Sequence, residues 1–243
     1  MISQAAGLAT AIALAFLVPM HPVLKDIIWG AIAGIAGLAA IALLYRALAI
    51  GVMGVVSPVT AVLAAAIPVG FAAFHGEHLT MFQGFGIAMA LVAIVTISAS
   101  INANGTREFV TAGVREALVA GLLFGTFFIL LGNARPEAGL APLLAARVAS
   151  VVVQLPIIIF ARIDVRVGRV LGLVLLCGAL DMTANVLYVL AARNGNLAIA
   201  AVVTSLYPAS TVLLALTVLK ERLSRTQLVG FACALVGVVL LVR

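Results

Sequence analysis

The sequence predicts an all-α, polytopic membrane helix bundle, and three observations carry that expectation. The first is composition: 65% of the residues are apolar and 9% are charged, whereas soluble domains are nearer half apolar and a quarter charged. A soluble fold must still cover its exterior with polar residues, and too few are present here to do so. The second is a series of apolar runs, which reach the roughly 17–25 residues needed to cross the hydrocarbon core. The third is the shortness of the connections, which predicts helices running up and down beside one another with no extramembrane domain.

Nine spans follow from reading apolar runs between charges and turn residues: 4–20, 27–49, 53–74, 80–99, 115–133, 140–161, 170–191, 196–219 and 226–242. The first lacks a basic leading region, so it reads as a span and not as a signal peptide. The next three are separated by short connections at 21–26, 51–52 and 75–79. The longest connection, 100–113, holds Asn102, Asn104, Gly105, Thr106 and Arg107. The remaining five spans are again closely joined, with Arg, Lys, Glu, Gly or Pro in the gaps.

Charge and motifs narrow the function. Lys and Arg outnumber Asp and Glu by 14 to 8, but most sit singly between apolar runs, as loop charges do. That pattern excludes a nucleic-acid partner and makes the lipid bilayer the expected one. Cys177 and Cys233 lie inside apolar segments without metal or redox neighbours. His21, His75 and His78 form no ligand set, so neither a metal nor a cofactor is expected. The chain has no Gly-x-x-x-x-Gly-Lys loop, no His-Glu-x-x-His, no Gly-x-Ser-x-Gly and no paired intramembrane aspartates. These absences favour a carrier driven by gradients over a pump or an intramembrane enzyme.

Internal repetition is more informative. The stretch Glu77-His78-Leu79-Thr80-Met81-Phe82-Gln83-Gly84-Phe85-Gly86 matches Glu221-Arg222-Leu223-Ser224-Arg225-Thr226-Gln227-Leu228-Val229-Gly230 at an offset of 144 in Glu, Leu, a hydroxyl, Gln and Gly. Gly51 meets Gly195 and Thr60 meets Thr204 at the same offset, and Tyr45 meets Tyr188 after a one-residue slip. Such a duplicated helical unit is common in secondary transporters. The expected units are residues 1–104 and 105–243. The second has five spans and the first four, because the counterpart of 115–133 would fall before Met1. The expectation is therefore a ten-span design whose first helix is missing, through a mis-set start or a real truncation.

At these residues the chain resembles the EamA-type transporters of the drug/metabolite transporter superfamily. The resemblance is carried by Tyr45-Arg46-Ala47-Leu48, Gly51, Ser57-Pro58, Gly76-Glu77-His78-Leu79 and Gln83. Its second copy is Tyr188, Gly195, Thr204, Pro208, Lys220-Glu221-Arg222-Leu223, Gln227 and Gly230. It implies two inverted five-helix repeats around a central cavity, export or exchange of a small metabolite, and a cytoplasmic C-terminus. Loop charges point the other way: nine Lys and Arg fall on one side and four on the other, which puts the C-terminus outside. An impermeant label on an introduced terminal cysteine discriminates the two.

Asp181 stands out as an acid inside a span, twelve residues from both Arg169 and Arg193. An ionisable group at that depth faces a cavity or a partner, because exposing it to lipid costs about 2.5 kcal/mol or more. Asn185 and Tyr188 follow on the same helical face, and Gly178 leaves room beside them. Asp181 reads as a proton or cation coupling group, or as a structural partner, for which Arg147 is available. Arg147 itself reads as an anion-binding residue or as a snorkelling one. Thr60, Tyr45, Thr204 and Tyr207 complete the expected lining, with Pro58 and Pro208 as paired hinges or cavity markers. Each hydroxyl has a bland alternative, a bond to the preceding turn. Gly30-x-x-x-Gly34 and Gly121-x-x-x-Gly125 admit a homodimer seam, with packing inside the chain the simpler reading. Glu77 and Glu221 are expected to cap helices.

The leading expectation is thus a secondary-active, multi-pass carrier of a small molecule in the plasma or inner membrane. It would work by alternating access, with protons as the candidate coupling ion. The alternatives are a non-transporting membrane partner or truncated carrier, and an enzyme acting on lipid-linked substrates.

Overall fold

The computed structural model describes residues 2–75, 80–101, 107–109, 112–160, 168–193, 207–218, 220 and 224–241. Among them nine α-helices run in order: α1 (Ile2–Ala15), α2 (Leu24–Ile50), α3 (Met53–Phe74), α4 (Met81–Ser98), α5 (Val114–Gly132), α6 (Ala141–Phe160), α7 (Leu171–Arg193), α8 (Tyr207–Thr217) and α9 (Arg225–Leu241). Each lies within one expected span or overlaps it closely. The part of the eighth span before Tyr207 lies outside the described residues. α1 stops five residues short of its expected end at 20. There the N–H groups of Leu17 and Val18 fold back on the carbonyls of Leu14 and Ala15 at 3.0 and 3.3 Å. Pro19 then disfavours helical geometry at Val18. The connection 100–113, expected as a loop, contains most of a short antiparallel strand pair, β1 (Ala99–Ile101) with β2 (Arg107–Phe109). Strands of three residues are too short for alternation to register in the sequence.

Four stretches, Leu24–Ile50, Met53–Phe71, Val114–Gly132 and Ala141–Phe160, are long and apolar enough to cross a membrane. α1, α4, α7 and α9 are apolar and shorter over the described residues. Phe74, Phe85, Ile159 and Leu173 stand exposed, as side chains facing lipid do.

The repeated Thr-x-x-Gln and Ser-x-x-Gln have a local cause. At the start of α4 the Thr80 N–H donates to Gln83 Oε1 at 2.9 Å, and the Gln83 N–H donates to Thr80 Oγ1 at 3.2 Å. At the start of α9 the Ser224 N–H donates to Gln227 Oε1 at 2.9 Å, and the Gln227 N–H to Ser224 Oγ at 3.2 Å. Both are capping boxes, each satisfying two N–H groups that a helix start leaves orphaned. The expected capping residues Glu77 and Glu221 lie outside the described residues. Ser224→Ala is expected to cost about 1 kcal/mol, read as a lower apparent Tm with faster amide exchange confined to the first turn of α9.

The chain divides into two compact units, Met1–Leu38 with Phe127–Leu197 and Ala39–Thr126 with Ala198–Arg243. Each takes segments from both halves of the sequence. The first has its core at Ala11, Leu140, Leu143, Met182 and Val186. The second is centred on Val55, Val56, Val59 and Val62 of α3, with Ala90 and Ala93 of α4 and Ala234 and Val238 of α9. There α4 lies along α9, with Gly237 admitting the backbone at Gly86 and Ala90. α3 packs on α8, where Ser57 Oγ and Thr211 Oγ1 are 2.6 Å apart. α3 also meets α5 through the second glycine pair. A Cβ on Gly121 would lie 2.6 Å from Leu63 Cβ, and one on Gly125 would lie 2.5 Å from Ile67 Cβ. The glycine spacings therefore serve packing within the chain.

Candidate functional site

In the first unit Gln4 of α1, Arg147 of α6 and Asp181 of α7 converge. Arg147 Nη2 donates to Asp181 Oδ2 in an ion pair, and Nη1 donates to Gln4 Oε1. Its Nε points at the Met182 sulfur, 3.3 Å away. The guanidinium is thus engaged on three edges. Its side chain is 12% exposed, whereas that of Asp181 is 46% exposed, so the carboxylate is the open edge of the pair. Asp181 is the eleventh residue of α7, about 15 Å from its start at about 1.5 Å per residue.

Small residues bring these helices together. The α1–α7 crossing is closed by Gly178, where a Cβ would overlap the Ser3 carbonyl, and by Gly7, whose Cβ would come within 3.2 Å of the Gly178 oxygen. The α2–α6 crossing repeats the arrangement. A Cβ on Gly34 would overlap the Ala146 carbonyl and one on Gly30 the Pro142 carbonyl. Ser150 Oγ lies 2.9 Å from the Gly34 oxygen and 2.8 Å from that of Ala146, sharing its proton between them. Gly34 and Gly178 are 144 residues apart, and the pairs Ser3 and Ala146, Gly7 and Ser150, and Gln4 and Arg147 are each 143 apart. Gln4 and Arg147 therefore occupy matching positions and bond to each other. The copies differ in chemistry: neither Leu38 nor Gly37, the residues 143 and 144 before Asp181, carries a charge.

The other expected site residues take varied places. Asn185 lies one turn beyond Asp181, and its amide donates to the Asp181 backbone carbonyl at 2.8 Å. Tyr188 follows on α7, and its side chain lies outside the described residues. In the second unit Thr60 is fully buried, and its hydroxyl meets the Val56 carbonyl at 2.9 Å and the Ala117 carbonyl at 3.2 Å. That is the bond to the preceding turn, extended across to α5. Pro58 is buried within α3. Pro208 is the second described residue of α8. Tyr45 is 59% exposed on α2. Tyr207 begins α8, its side chain outside the described residues, and Thr204 lies outside them altogether.

Two features went unread in the sequence. Gln4, a buried amide in an apolar helix, had only its polarity to mark it. Asp26, read as a loop charge, is 1% exposed. Its carboxylate accepts from the Val23 N–H at 3.0 Å, from the Arg135 N–H at 3.0 Å, and from Arg135 Nε and Nη2 at 3.2 and 3.0 Å. It caps α2 and ties the turn before α6 to it, with the His21 N–H donating to the Glu137 carbonyl at 2.9 Å. Among the described residues no group of His, Cys, Asp and Glu could hold a metal ion.

The family model described as the EamA-like transporter family matches residues 111–243. A comparison with curated proteins finds no match.

Proposed function

The chain belongs to the EamA-like transporter family, and from that premise we propose that it is a secondary-active carrier exporting or exchanging a small metabolite. It is an integral membrane protein and a transporter of the drug/metabolite type. In this reading it works by alternating access in the plasma or inner membrane. Nine spans are arranged as the two sequence copies, residues 1–104 and 105–243. The paired crossings of α1 with α7 and of α2 with α6, built on small residues at matching positions, support that arrangement.

The observation that carries the proposal is the Arg147–Asp181 ion pair with Gln4, set among apolar helices. Charges inside membrane helices are costly and mark substrate or ion pathways. Asp181 is the group that exchanges a proton or binds the cargo, and Arg147 holds it in place until that exchange. Tyr45, Thr204 and Tyr207 are the further candidates for the lining, with Pro58 and Pro208 near the hinges, while Thr60, buried with its hydroxyl on two backbone carbonyls, serves the packing of α3 on α5.

The test is transport by the purified full chain in liposomes under an imposed proton gradient. Asp181→Asn is expected to lower the rate at least about tenfold, which is the scale of one lost charge interaction, and to remove the response to the gradient. Unchanged transport with an unchanged gradient response would sink the coupling role.

A further inference from the structure

We propose that the outer face of the α4–α9 pair holds one anionic phospholipid, with its phosphate on Arg225 and an acyl chain laid along α4. The inference is independent of what the chain carries. Two shallow grooves supply it. One, of about 220 Å³, is lined by Thr96 of α4 and by Arg225, Thr226 and Val229 of α9. The other, of about 370 Å³, is lined by Met81, Gly84, Phe85 and Ala88, all of α4. Phe85, Ala88, Val92 and Thr96 follow one another at steps of three and four residues, so both grooves open on one face of α4. Val92, half exposed, lies between them. Arg225 is the first residue of α9 and Thr96 lies two residues from the end of α4, which puts the first groove where spans meet headgroups. Ala88 is eight residues further in, about 12 Å at about 1.5 Å per residue. That is nearly the depth of one leaflet, about 15 Å as half of the hydrocarbon core. The spacing of the grooves therefore suits a headgroup in the first and the far part of an acyl chain in the second.

The chemistry of the first groove selects the occupant. The Thr96 hydroxyl donates to the Val92 carbonyl at 2.7 Å, and the Thr226 and Ser224 hydroxyls meet at 2.9 Å, so these groups are engaged within the chain. The Ser224–Gln227 capping box already occupies donors at the start of α9. The guanidinium of Arg225 is what the groove offers to a ligand: it is exposed and makes no ion pair among the described residues. Its planar fork takes a phosphate on two parallel N–H bonds. A soluble anion would gain that contact alone and a neutral lipid only the apolar track, whereas an anionic lipid gains both. The charge of this end of the second unit agrees. α4 leads through β1 and β2 into α5, whose start meets the end of α2 at Ala112 and Gly51. Arg46, Arg115 and Lys220 are exposed there, and Glu116 is paired with Arg46. Basic pockets between membrane helices attract anionic headgroups in this way.

The experiment titrates the apparent Tm of the purified full chain in neutral detergent. The probes are phosphatidylglycerol, phosphatidylcholine with the same acyl chains, and inorganic phosphate. Phosphatidylglycerol is expected to stabilise at the lowest concentration, and inorganic phosphate not to stabilise. Arg225→Gln is expected to raise the half-saturating phosphatidylglycerol concentration about fivefold, the scale of one cation near a membrane surface. Arg115→Gln, an exposed cation at the same end but outside the groove, is expected to keep the response of the parent chain. Gly84→Leu fills the second groove, and nothing lies within 4 Å of the new Cβ, so this variant is expected to fold and to bind both lipids more weakly. The inference is overturned if phosphatidylcholine matches phosphatidylglycerol or if inorganic phosphate stabilises as well as the lipid. It is equally overturned if Arg115→Gln loses as much as Arg225→Gln, which would mean general attraction to a basic surface. Unchanged binding in Gly84→Leu would remove the acyl track and overturn it too.

Discussion

Gly34→Ala is expected to lower the stability of the chain by about 3 kcal/mol, the upper part of the range for overpacking a close contact. The added Cβ would overlap the Ala146 carbonyl, and backbone cannot swing aside as a long side chain can. Relief requires α2 and α6 to separate, which also loosens the Ser150 bond to the Gly34 oxygen. Helices in lipid associate largely through such close packing, so little else compensates. The control is Gly84→Ala in α4, where nothing lies within 4 Å of the new Cβ. There the change is expected to be neutral, or stabilising by about 0.5–1 kcal/mol, because Gly loses more chain entropy on folding than Ala. Apparent melting temperatures of the two variants in one detergent decide the matter. Equal shifts would mean that the α2–α6 crossing is looser than described.

Arg147→Gln carries the second large effect. It leaves the Asp181 carboxylate without its cation and Gln4 without its donor. Breaking a fully buried pair costs about 3–5 kcal/mol. The 46% exposure of Asp181 reduces that, so about 2 kcal/mol is expected. Adding Asp181→Asn should recover part of the loss, because two amides strand no charge. A double variant less stable than Arg147→Gln alone would contradict the view that the pair exists to balance charge.

Much of the helical layout was legible because its cause is local. Apolar runs bounded by charges set the spans, and the ends at Ile50 and Phe74 fall where Gly51 and His75 interrupt them. The repeated Thr80-x-x-Gln83 and Ser224-x-x-Gln227 were visible as a duplication. Their meaning as capping boxes needed the hydrogen bonds. Asp181 was legible as an anomaly, because a lone acid in an apolar run has few places to go. Its partner was one of two readings, since nothing local ties residue 147 to residue 181. Gln4 was illegible for the same reason: its bond to Arg147 spans 143 residues. Asp26 misled in the other direction. A charge beside a helix start reads as solvated, and burying it depended on Arg135 arriving from a distant turn. The glycine pairs fixed a close helix contact but not the partner helix, which the Pro142, Ala146, Leu63 and Ile67 contacts supply.

The central claim is that the polar face of α7 lies on a path open alternately to the two sides of the membrane. Cysteine reactivity tests it most directly. Asn185→Cys, in a chain with Cys177→Ser and Cys233→Ser, leaves the Arg147–Asp181 pair intact and places a thiol one turn away. In sealed liposomes of known orientation, a membrane-impermeant thiol reagent is expected to modify that cysteine from either side, and substrate should slow both reactions. Reaction from one side only, or from neither, would contradict the account.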